Sequence, residues 1–68
     1  MDESRVMFTV SEIKIVTAQH VLNEAGIVSF VINKKDSAHV GLFGDIELYV
    51  DKQNAEEARG ILEAEGVI

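Results

Sequence analysis

The 68-residue chain has no cysteine, which excludes disulfides, thiolate nucleophiles and thiolate-bound zinc or iron–sulfur centres. It is also short of positive charge. Six Lys plus Arg stand against twelve Asp plus Glu, a net charge of −6 that opposes phosphate backbones and anionic membrane surfaces, so no nucleic acid and no membrane is expected among its partners. No apolar run approaches the roughly 18 residues of a membrane span. The start Met1-Asp2-Glu3-Ser4-Arg5 is acidic where a targeting segment would be basic, and a cytoplasmic protein is expected. Imidazoles number two, His20 and His39, and neither falls in an HxxxH or HExxH pattern that would set two ligands on one helix face. No metal site and no cofactor is therefore expected. What is present is ordinary globular composition, 47% hydrophobic and 26% charged, enough for one core. A single domain over 1–68 follows, with residues 1–4 as a flexible lead. A domain this small buries only roughly 60% of the surface of its unfolded chain. With disulfides excluded, self-association becomes an expectation.

Period-two alternation of Val6, Phe8 and Val10 with Met7 and Thr9 marks a first strand, buried on the Val6 face. Ser11 stands where an N-cap would, followed by Glu12, and Ile15, Ala18, Leu22 and Ala25 form the apolar stripe of a helix with Val21 on its flank. Gly26 closes it as a C-terminal cap. The β-branched and aromatic run Ile27-Val28-Ser29-Phe30-Val31-Ile32 is the second strand. Ile46-Glu47-Leu48-Tyr49-Val50 is the third, with Ile46, Leu48 and Val50 inward. Asp51 or Asn54 can cap a last helix with Ala55, Ala58 and Leu62 as its stripe, Ile61 as its shoulder and Gly66 past its end. The order β-α-β-β-α predicts an α+β, ferredoxin-like split sandwich: an antiparallel sheet with the third strand between the first two, and two helices on one face. Only Val67 and Ile68 follow the last helix, so a fourth strand is expected to be short or missing. The first strand would then be an open edge, a template for a sheet-extended homodimer.

Between the second and third strands, residues 33–45 are long for a hairpin connection and concentrate reactive side chains. Lys34-Lys35 is a basic pair in an acidic chain, and with Asn33, Asp36, Ser37 and His39 it could hold an anionic ligand. The spacing Gly41-Leu42-Phe43-Gly44 does not make a nucleotide clamp, because it precedes a strand and is followed by Asp45. It does not make a phosphate loop either, since no Gly-Lys-Ser or Gly-Lys-Thr follows. No serine, histidine and carboxylate fall into a spacing that selects a nucleophilic triad, and no catalytic residue is expected. Ile13, Val16 and His20 share the face of the first helix opposite its core stripe and suggest a contact surface. The sheet face away from the helices is expected to show Met7, Thr9, Ser29, Val31, Glu47 and Tyr49. Tyr49 is the aromatic among them, and the face suits protein contact or self-contact.

Taken together, Leu22-Asn23-Glu24-Ala25-Gly26-Ile27, Val31-Ile32-Asn33-Lys34-Lys35-Asp36-Ser37, Phe43-Gly44-Asp45-Ile46-Glu47-Leu48-Tyr49-Val50 and Asn54-Ala55-Glu56-Glu57-Ala58-Arg59-Gly60-Ile61-Leu62 resemble the prokaryotic signal-transducing protein family. This is a bacterial family of unknown function, and the resemblance runs from Arg5 to Glu65. It implies a small ferredoxin-like or PII-like α/β unit with a regulatory role, and it brings no catalytic residues. Two departures stand out. Many relatives have an acidic residue and an alanine near the start of the first helix, where this chain has Ile13-Lys14-Ile15, and many have a proline after the third strand, where it has Asp51. The expected function is a non-enzymatic regulatory or interaction module with an unidentified protein partner, capable of forming a homodimer through the first-strand edge or the open sheet face. The alternative is a sensor that binds an anionic metabolite or nucleotide through residues 33–45.

Overall fold

The computed structural model describes residues 2–33 and 46–68. The order is β1 (Glu3–Thr9), α1 (Glu12–Glu24), β2 (Ser29–Asn33), β3 (Ile46–Asp51), a 3-10 turn (Lys52–Asn54) and α2 (Ala55–Ala64). β3 lies in the middle of the three strands, antiparallel to both neighbours. The architecture is the expected α+β, ferredoxin-like split sandwich with two helices on one face of the sheet.

Local chemistry starts and stops both helices. Ser11 caps α1, its Oγ accepting from the Lys14 N–H at 3.2 Å, and Glu12 follows in the first turn, where a carboxylate meets the positive end of the helix dipole. Asp51 caps the 3-10 turn ahead of α2, with Oδ1 accepting from Gln53 N–H at 3.0 Å, whereas Asn54 makes no side-chain cap. Both helices end in one device. Gly26 and Gly66 have φ of +80° and +76°, the left-handed conformation open to glycine. Ile27 N–H then donates to the Leu22 carbonyl at 2.9 Å, and Val67 N–H to that of Leu62 at 2.8 Å, which is the Schellman arrangement. Ile27 and Val67 are buried in the core with the two leucines. Val67 thus closes the core behind α2.

Ile15, Ala18 and Leu22 of α1 and Ala55, Ala58 and Leu62 of α2 pack on Ile46, Leu48 and Val50 of β3, as their spacing predicts. Ala25 is exposed at the cap rather than part of the stripe.

Three expectations need correction. β1 takes in Glu3 and Ser4, because its ladder with β3 runs to Glu3 opposite Asp51, and Lys52 N–H donates to the Asp2 carbonyl at 2.7 Å. Its alternation is broken by a bulge. Arg5 pairs with Tyr49 and Met7 with Leu48, which leaves Val6 as an extra residue, so Val6 and Met7 are both buried while Phe8 and Val10 are exposed. Arg59 of α2 donates to the Arg5 carbonyl at this bulge, at 3.0 Å. β2 starts at Ser29 rather than Ile27, and its phase is opposite to the one expected. Phe30 pairs with Tyr49 and Ile32 with Glu47, so these two face away from the helices, while Ser29 and Val31 lie on the helix side. Either phase of Phe30-Val31-Ile32 is apolar. The anchoring of Ile27 at the α1 cap decides between them.

Candidate functional site

Cross-strand pairs put their side chains on the same face of a sheet. The face turned away from the helices therefore carries Arg5 beside Tyr49 beside Phe30, and next to it Phe8 beside Glu47 beside Ile32. At the centre Glu47 is only 6% exposed, although neither α1 nor α2 covers it. A carboxylate so enclosed needs partners. Arg5 Nη1 donates to Glu47 Oε2 at 3.1 Å, and Tyr49 Oη donates to Oε1 at 2.8 Å. The Arg5 guanidinium also lies 4.9 Å from the centroid of the Phe8 ring, within reach of a cation–π attraction.

Around this polar centre Phe8 is 59%, Phe30 44% and Ile32 45% exposed. Large apolar groups surround a satisfied ion pair on an open sheet. The hydrogen bond from Tyr49 to Glu47 raises the phenol's pKa above its ordinary value, since the accepting carboxylate holds the proton. Desolvation and the charge of Glu47 push the same way, and Arg5 opposes them.

A second exposed surface lies on α1. Ile13 is 78% and Val16 63% exposed, and His20 follows on the same side with Nε2 3.9 Å from Glu24 Oε2. Beside them runs an open groove between α1 and the start of β2, lined by Val16, His20, Asn23, Val28 and Ser29. Among the described residues no three His, Asp or Glu side chains converge to hold a metal ion, and no helix is long and apolar enough to cross a membrane.

The structure thus brings Tyr49 to the sheet face, and it groups Ile13, Val16 and His20 on α1 away from that face. Lys34, Lys35, Asp36, Ser37 and His39 lie outside the described residues, and Asn33 ends β2. Sequence reasoning missed Arg5, Phe8, Phe30 and Ile32 on the open face. One signal for the bulge was available in Val6-Met7, two consecutive apolar residues where alternation asks for one. A signal for the polar centre was Glu47 two positions from Tyr49, the spacing that puts both on one side of a strand. Compared with protein-family models, with curated proteins and with solved structures, the chain matches none.

Proposed function

We propose that the chain is a non-catalytic protein-contact module of regulatory type, with the open sheet face as its contact surface. The observation that carries this reading is the exposure, on one sheet face, of Phe8 on one side of the Arg5–Glu47–Tyr49 centre and of Phe30 and Ile32 on the other. Aromatic residues and arginine are enriched in protein interfaces, and the well-packed centres of such interfaces carry most of the binding energy. Large apolar groups left exposed together on one face mark a contact site. The resemblance to the bacterial signal-transducing family agrees with a regulatory role. The sensor alternative rests on residues 33–45, of which only Asn33 is described.

The test compares three forms of the immobilised chain against extract from its source: wild type, Phe8→Ser with Phe30→Ser, and Lys34→Glu with Lys35→Glu. A partner retained by the wild type and the lysine variant, and lost by the phenylalanine variant, supports the sheet face. The phenylalanines are surface residues, so folding is expected to survive and is checked by circular dichroism. Equal retention by all three refutes the face as the contact site. An isotope-labelled sample titrated with nucleotides and anionic metabolites tests the alternative, for which amide shifts confined to 33–45 are the signature.

A further inference from the structure

The sheet has two outer strands, and they differ in how they meet solvent. β1 carries two of the devices that blunt an edge against pairing, a bulge at Val6 and charged residues at Glu3 and Arg5. β2 carries neither. It pairs with β3 without a register shift, and no charged residue falls between Ile27 and Asn33. Its apolar side chains emerge on both faces, Phe30 and Ile32 on the open face and Val31 on the helix face, with Val28 exposed just ahead of the strand. The groove beside α1 continues this surface toward Val16 and His20, and Ile13 extends it along the helix. The result is a strip without Asp, Glu, Lys or Arg in its lining, bounded by Glu24 beside His20 and running from strand edge to helix in a chain of net charge −6. Copies that repel one another elsewhere can meet here with Glu24 as the bordering carboxylate, beside an imidazole.

We infer that a second copy of this chain docks on the strip, β2 against β2 in antiparallel pairing about a two-fold axis perpendicular to the sheet. The inference rests on the reading of the chain as a protein-contact module and names one of its partners. Centred on Val31, the pairing sets Phe30 opposite Ile32 of the partner subunit on the open face, and Val31 opposite its own counterpart on the helix face. Directly paired residues share a face, so this register keeps all four helices on one side of a continuous six-stranded sheet. The same axis turns the Val16 sides of the two α1 helices toward each other. Both layers are needed, because specific interfaces bury about 1,200 Å² or more in total, beyond what a five-residue strand edge covers alone. The first strand, named above as the expected dimer edge, stays outside this interface.

Sedimentation equilibrium of the full chain over a wide concentration range tests the inference. The expected mass is twice 7.5 kDa. Val31→Lys would place two ammonium groups across the axis, and Val16→Glu two carboxylates between the helices. Each is expected to raise the dissociation constant by about tenfold or more, the effect of roughly 1.4 kcal/mol, with the circular dichroism spectrum retained. Phe8→Ser, on the far strand, is expected to leave the dimer intact. A wild-type chain that stays monomeric overturns the inference, as does a dimer indifferent to Val31→Lys. Should Val31→Lys lose the fold, Val16→Glu decides by the same criterion. The two readings fail separately. A monomer that still retains a partner through Phe8 and Phe30 refutes the dimer alone, and a β2-dependent dimer that retains no other protein refutes the partner-binding sheet face alone.

Discussion

Replacing glycine by alanine at positions 26, 60 and 66 makes one chemical change in two backbone settings, with opposite expected signs. At Gly26 and Gly66 a new Cβ would meet no heavy atom within 4 Å, so steric crowding by neighbours contributes nothing. The cost is in the backbone, held at φ of +80° and +76°, where an L-residue is destabilised by about 1–2 kcal/mol. Gly60 sits inside α2, again with open space around its Cβ. There glycine is worse than alanine by roughly 0.5–1 kcal/mol, because the unfolded chain loses more freedom on folding. Gly60→Ala should therefore stabilise the protein while Gly26→Ala destabilises it, a separation of about 2 kcal/mol between the two variants. For a domain of this size about 1 kcal/mol moves the melting temperature by roughly 4–8 °C. Thermal and urea unfolding followed by circular dichroism at 222 nm would resolve differences of that size. A Gly60→Ala variant that melts below wild type, or a Gly26→Ala variant that melts with it, would refute the assignment of these glycines to helix interior and left-handed cap.

Two further outcomes follow from the sheet. Tyr49 is the single tyrosine of a chain without tryptophan, so absorbance near 295 nm reports its ionisation alone; it should titrate above the ordinary value, and Glu47→Gln should bring it back down. Because its folded pKa is raised, the associated stability is present in full below pH 10 and is lost as pH rises through the folded value. Tyr49→Phe should therefore lower stability at neutral pH, where that contribution is full, and flatten its loss in the alkaline window, so that the two proteins converge as pH rises through the folded value. An equally steep loss in the variant would count against the Glu47 hydrogen bond. Arg59→Ala removes the donor to the Arg5 carbonyl at the bulge and should cost about 1 kcal/mol, with faster amide exchange at Val6 and Met7 than elsewhere in β1. Uniform exchange along β1 would show that the bulge holds without Arg59.

Element order and core were legible in the sequence wherever one periodicity dominated. Ala55, Ala58 and Leu62, and Ile46, Leu48 and Val50, admit a single inward face, and they are buried as read. Ser11 and the two capping glycines could be placed because so few residue types serve those positions. The composition of the open face was not legible. A bulge shifts phase by one residue without any turn signal, so Phe8 read as core when it lies outside. In β2 both phases are hydrophobic, and the choice is made by Ile27 docking at the end of a neighbouring helix, a tertiary contact that alternation does not encode. The Arg5–Glu47 pair spans 42 positions, and no local pattern joins the two.

The central position of β3 has a kinetic side. β3 meets β2 across the smaller sequence separation, Asn33 opposite Ile46, and meets β1 across a larger one, Thr9 opposite Ile46. Loop-closure entropy grows with the logarithm of the separation and makes the second closure costlier by about 1 kcal/mol. The β2–β3 hairpin should therefore close early and β1 zip on late, so that destabilising changes in β1 speed unfolding while changes in β3 slow folding.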